Sequence, residues 1–340
     1  MARPSVRDVA ERAGVSVGTV SHVLNHPERV AQPTIDRVRA AIDELGFVRS
    51  EAARRLRHGG SSLVGVLVHD ISNPFFTEAA RGIEDRLRED GRVPMLGSTD
   101  SDPERERELM SLLAGMDVHG MIVTPSASTL DNLAVLAGRG IRVVLMDHPP
   151  ISAELSTVSG DDVAGARAAA AHLIELGHRR IGFVNGPLTV RQAVDRRDGV
   201  IAALVEAGLD PAEALAEIEA VSGGQGFTAD AGAVGAAALL GAAPAPTALL
   251  CANDQLAIGA MREVRRRGLS IPDDVAIVGY DDVSVAAELI TPLTSVRQPM
   301  REMGAAAADL LLAKGGDVQH IVFPPELIVR ESTAGGRHRA

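Results

Sequence analysis

Seven residues in the later part of the chain have the types and positions to bind an uncharged, hydroxyl-rich molecule. Asp147, Asn253 and Asp281 each fall just beyond a short apolar run that reads as a strand, where α/β proteins place their ligand contacts. Arg196 lies on the helical stretch after Asn185-Gly186-Pro187. Carboxylates accept hydrogen bonds from vicinal hydroxyls, and a guanidinium donates to ring and hydroxyl oxygens. Phe75, Phe76 and Phe227 could supply the apolar wall against which a pyranose C–H face packs. Taken singly, each is equally well a loop-capping Asp or a core Phe, so the reading rests on the set. Enzymatic chemistry has less support. Gly224-Gln225-Gly226-Phe227-Thr228-Ala229 fits G-x-G-x-x-A, yet no acidic residue follows at about 20 positions to hold a ribose, and Gly232 and Gly235 make the region simply glycine-rich. There is no P-loop, H-E-x-x-H or G-x-S-x-G motif, and the ten histidines show no metal-ligand spacing. Neither cofactor nor metal is expected, and the chain does not read as an enzyme.

Positioning those residues requires regular elements. From Leu63 the chain alternates apolar runs with helical segments, the pattern of βα units and a parallel sheet. Leu63–Val68, Val93–Gly97, Gly120–Thr124 and Ile141–Met146 form one series of strands. Arg180–Val184, Ile218–Val221, Thr247–Ala252 and Val275–Gly279 form a second. Two series predict two doubly wound α/β lobes with a ligand cleft at the carboxyl ends of their strands.

The first sixty residues are built differently. Ser5 and Asp8 form a capping box for a helix from about Val6. Gly14 permits a sharp turn, and Ser16 can cap a second helix from Val17 to Asn25. A third helix follows Pro33 and stops at Gly46, with Ile35, Val38, Ile42 and Leu45 on one face. This is the plan of an all-α helix-turn-helix domain.

The run Val9-Ala10-Glu11-Arg12-Ala13-Gly14-Val15-Ser16-Val17-Gly18-Thr19-Val20-Ser21-His22-Val23-Leu24-Asn25 closely resembles the LacI/GalR family of repressors. The resemblance extends through Asn73-Pro74-Phe75-Phe76, Leu176-Gly177-His178, Asn253-Asp254 and Val278-Gly279-Tyr280-Asp281-Asp282 to Val329-Arg330-Glu331-Ser332. It implies a periplasmic-binding-protein-like core behind the helical domain, with a ligand-gripping arginine at Arg196. It further implies that the second helix enters the major groove. Val17, Gly18 and His22 would then face bases, while Ser16, Thr19, Ser21 and Asn25 hold phosphates. His22 departs from the commoner pattern, where arginine is usual; histidine makes one base contact where arginine makes two. Residues 50–60 would form a hinge helix on DNA, Leu56 wedging into the minor groove beside Ala53, with Arg55 against phosphate.

Composition agrees with this division. Residues 1–60 carry ten arginines against seven acidic side chains, although the whole chain of 340 residues has a net charge of −11. A basic module on an acidic body limits non-specific DNA affinity while one face meets phosphate. The single Cys251 rules out a disulfide framework. With no apolar signal segment after Met1-Ala2-Arg3-Pro4, a cytoplasmic protein without membrane contact is expected. The expected boundaries are 1–49 for DNA binding, 50–60 for the hinge and 61–335 for the core. Within the core, lobe 1 spans about 61–159 and 292–321, and lobe 2 about 160–291 and 322–335. Double-stranded operator DNA and a small-molecule effector, most simply a sugar, are the expected partners. After Glu331-Ser332-Thr333 no leucine-heptad tail follows, so a homodimer is expected. A pure transport-type binding protein and an NAD-dependent enzyme are the alternatives; the first is opposed by the helix-turn-helix, the second by the missing ribose-binding acid.

Overall fold

The computed structural model describes residues 4–47, 61–126, 140–151, 154–313 and 317–334, with isolated positions 133, 136, 138 and 315. The chain divides into two compact units, Met1–Ser61 and Ser62–Ala340.

In the first unit, α1 (Val6–Ala13), α2 (Val17–Asn25) and α3 (Gln32–Leu45) enclose a small core of Val9, Ala10, Val20, Val23, Ile35 and Val38. Its local signals are the ones a helix end needs. Ser5 accepts from the Asp8 N–H while the Asp8 carboxylate accepts from the Ser5 N–H. Gly14 adopts φ 66°, a left-handed conformation that costs glycine nothing and turns the chain between α1 and α2. Arg12 of α1 and Glu44 of α3 pair at 2.5 Å on the surface.

The second unit holds two six-stranded sheets. Sheet one is ordered β11-β5-β4-β3-β1-β2, all parallel, from β1 (Leu63–Val68), β2 (Val93–Ser98), β3 (Gly120–Val123), β4 (Arg142–Met146), β5 (Ser156–Gly160) and β11 (His320–Phe323). Sheet two is ordered β12-β10-β9-β8-β6-β7, from β6 (Ile181–Asn185), β7 (Leu215–Glu219), β8 (Ala248–Cys251), β9 (Ala276–Asp281), β10 (Thr294–Arg297) and β12 (Glu326–Ile328), the last antiparallel. Central strands are buried on both faces by helices, which is why β1, β3 and β8, and β9 up to its last residue Asp281, read as unbroken apolar runs. The flanking helices include α4 (Pro74–Glu89), α5 (Pro103–Gly115), α6 (Asp162–Glu175), α7 (Arg191–Glu206), α8 (Pro211–Ala214), α9 (Ala229–Gly241), α10 (Asp254–Arg266), α11 (Val285–Glu288) and α12 (Met300–Leu312). Among the described residues no helix is long and apolar enough to cross a membrane.

Three parts of the sequence reading need correction. The chain returns to lobe 1 after β10, not at 292, because Thr294–Arg297 pairs with β9 of sheet two. It leaves lobe 1 after Phe323, not at 321, because Val322 and Phe323 pair with Ser159 and Gly160. Strand β7 covers Leu215–Glu219 rather than 218–221, with Leu215 opposite Ile181. β5, β10, β11 and β12 are short and carry Ser, Thr, His or Glu, so hydrophobic periodicity passes over them; partners across the sheet, not local pattern, make them strands.

Candidate functional site

In the first unit α2 presents Ser16, Val17, Gly18 and His22 to solvent and buries Val20 and Val23 beneath them. The Ser16 hydroxyl accepts from the Thr19 N–H at 3.0 Å and caps the helix. The Asn25 amide donates to the Ser21 carbonyl at 2.7 Å, one helical turn back. An exposed helix N-terminus with small and polar side chains can enter a groove and meet phosphate with its free N–H groups. Ala53, Arg55 and Leu56 lie outside the described residues.

In the second unit a cavity of about 350 Å³ opens between the two lobes, at the carboxyl ends of both sheets. All seven candidates line it: Phe75, Phe76 and Asp147 from lobe 1, and Arg196, Phe227, Asn253 and Asp281 from lobe 2. Each is positioned by an identifiable local device. Asn73 caps α4 by accepting from the Phe75 N–H at 3.0 Å, and the first turn of that helix sets Phe75 edge-on to Phe76 with ring centres 5.0 Å apart. Phe227 sits at φ 56°, and its ring lies over Gly186, where a Cβ would come within 2.2 Å of the ring carbon Cζ. Gly226 is equally close to Pro187. Within the Gly224–Ala229 segment, Gly226 thus serves close packing and Gly224 a turn at φ 81°, and Thr228 then caps α9 by accepting from the Ala231 N–H.

Arg196 is the hub. It is almost wholly buried, with its guanidinium 3.8 Å from the centre of the Tyr280 ring. Its Nε donates to Asp162 at 2.8 Å, one Nη donates to the Ala252 carbonyl, and the other stands 3.7 Å from Asp281. Burial opposes its charge, but Asp162 and Asp281 overcome that and hold it protonated. Asp281 accepts from the Gln298 amide at 3.1 Å. Burial pushes its carboxyl up to about 7, against the pull of Arg196. Burial also raises Asp147 well above the carboxylate range, with Asp162 adding to it. One Asp147 oxygen accepts from Gln192 at 2.8 Å, and the other has no hydrogen-bond partner. Asn253 is fully engaged by the protein: its side chain caps α10 through the Leu256 N–H and donates to the Phe227 carbonyl.

Of the lining residues that the sequence reading passes over, His69 and Gln192 are both buried and polar. His69 follows β1 directly, so the strand-end rule that singles out Asp147 applies to it as well, although its neighbours in sequence add no second signal. Its ring is buried edge-on to Phe76, both nitrogens lack partners, and burial lowers it to about 4, with His148 contributing. Gln192 stands inside a helix turn with no local mark of function. The chemistry on offer is a neutral imidazole, an unpartnered carboxyl oxygen of Asp147 and one remaining guanidinium nitrogen between phenyl walls. Among the described residues no group of His, Cys, Asp and Glu could hold a metal ion.

Comparison with known proteins matches residues 5–50 to bacterial regulatory proteins of the lacI family and residues 170–333 to a periplasmic binding protein-like domain. The HTH-type transcriptional regulator DegA of Bacillus subtilis is 34% identical over 98% of this chain and 98% of its own length. Among solved structures, the lac repressor dimer bound to operator and the anti-inducer ONPF is 29% identical with a TM-score of 0.80, covering 98% of this chain and 100% of that one. A LacI family regulator from Enterococcus faecium with bound ribose is 31% identical with a TM-score of 0.73, over 80% of this chain and 98% of that one.

Proposed function

Since this chain belongs to the LacI family of bacterial transcriptional regulators, we propose that it is a repressor which binds a pseudo-palindromic operator as a homodimer and answers to a small sugar held between its lobes. The observation that carries this reading is the cavity to which both lobes contribute side chains. A ligand shifts a two-state protein only if it binds one state better, and contacts from both lobes supply that difference. A neutral polyol suits the lining. Asp70, Asp100, Asp147, Glu219 and Asp281 line the cavity together with Arg196, whose guanidinium is already shared between Asp162 and Asp281. An anionic ligand would meet more carboxyl groups than cations. The ribose-bound regulator from Enterococcus faecium supports the same class.

Assembly has support at the rim of sheet one. β2 is an edge strand whose Val93 and Leu96 are 54% and 46% exposed. Beside them runs a groove of about 340 Å³ lined by Thr77, Ala80, Arg81 and Glu84 of α4. Apolar side chains on an open edge need a partner, and the lac repressor dimer supports a second copy of this chain as that partner.

The test is footprinting on DNA around the chain's own promoter, with and without a panel of pentoses and hexoses, at several salt concentrations. A protected pseudo-palindrome is expected, its affinity falling linearly in log–log form with salt as counterions are released. At least one sugar should shift the protection. Equal binding to random DNA, or indifference to every sugar, would overturn the reading.

A further inference from the structure

The lobes touch through a contact that no ligand mediates. Gln192 lies in the first turn of α7 in lobe 2 and is buried. Its side-chain amide crosses the cleft to lobe 1 and donates twice to Asp147, to the backbone carbonyl and to Oδ2 at 2.8 Å. Both ends of this link are anchored. The Asp147 N–H donates to the Val158 carbonyl of β5 at 2.7 Å. At the other end, the Asn185 amide donates to the Ala193 carbonyl, and Arg191 pairs with Asp195 at 2.6 Å. Neither partner can follow the other if the lobes part, so opening must break both bonds.

We propose that Gln192 is an interlobe clasp: its two bonds to Asp147 favour the closed lobes on their own and leave Asp147 Oδ1 for the effector. Buried hydrogen bonds to an acidic group shift a two-state equilibrium by roughly 10- to 100-fold. The clasp therefore sets how much of the unliganded protein already has the binding-competent shape. Apparent affinity scales with that fraction, so Gln192 tunes effector sensitivity without being required to touch the effector. The alternative, that Gln192 is only a ligand contact, gives it no effect on the unliganded lobes.

The clasp deepens the effector-cleft reading, but its test needs no effector, so the two can fail separately. Spin labels at Glu108→Cys on α5 and Ala207→Cys after α7 report the lobe separation; both positions are exposed, and Cys251 is fully buried. The measurement is a pulsed-resonance distance distribution on full-length protein without sugar, labelled chains being diluted with unlabelled ones. Gln192→Met keeps length and bulk but removes the donor. Gln192→Glu sets a second carboxyl against Asp147. The parent should be mainly at the short separation, with about 10% or less open. The Met variant should turn the longer separation into the main population, and the Glu variant should go further at a pH high enough to ionise both carboxyls, which otherwise share a proton. If the Glu variant fails to melt cooperatively, the Met variant alone decides. A parent already open, or a Met variant with the parent's distribution, overturns the proposal.

Discussion

Asp281 and His69 face the same cavity with opposite protonation preferences. The folded protein favours the protonated carboxyl of Asp281, raised to about 7 by burial. Its contribution to stability is complete below about pH 4 and is lost as pH rises through 7. Burial lowers His69 to about 4, so the folded protein favours its neutral imidazole. Its contribution is complete above about pH 6.5 and is lost as pH falls through 4. The two slopes oppose each other between about pH 4 and 6.5. Urea unfolding of Asp281→Asn across that interval should show stability rising with pH more steeply than in the wild type; parallel curves would refute the assignment. Arg196 is different in kind. Arg196→Ala would leave Asp162 and Asp281 buried without their cation, and a loss of about 3–5 kcal/mol in unfolding free energy is expected. A stability within 1 kcal/mol of wild type, as order of magnitude, would mean that the pair is not held by charge.

The helix starts and strand ends are where chemistry and architecture share the same residues. Asn253 shows this plainly: it stands at a strand end, as a ligand-binding residue would, yet both functional groups of its side chain are used to cap α10 and hold Phe227. Gly186 makes the converse case, an unremarkable residue that the Phe227 wall depends on. Gly186→Ala should displace the ring and weaken binding of the responsive sugar by roughly 10-fold, the scale of one lost aromatic contact, with little change in melting temperature. Calorimetric titration checks this, and unchanged affinity would detach Phe227 from the site. The strand-end rule brings out Asp147 and Asp281 because the apolar runs before them are long and buried. It misplaces the return to lobe 1 because Thr294–Arg297 is defined by its neighbours β9 and β12, not by its own sequence. Gln192 was illegible for a related reason: its partner is 45 residues away across the cleft, and nothing in its own helix points there.

For the whole molecule, the exposed edge of sheet one carries the assembly claim. Leu96→Glu places a charge on β2 beside Glu84 of the same groove, and light scattering should find monomers where the wild type gives dimers. Operator affinity should fall at least 10-fold with it, because two half-sites no longer bind as one. A dimeric variant would move the interface elsewhere. The same topology has a consequence in time. Sheet one is completed by β11 and sheet two by β12, the last strands in the described chain. The helical unit, by contrast, finds its entire core within α1 to α3. At ribosomal speeds of about 5–20 residues per second, a nascent chain thus carries a finished DNA-reading head for an interval on the order of tens of seconds before either lobe can close. During synthesis, the part that acts precedes the part that governs it.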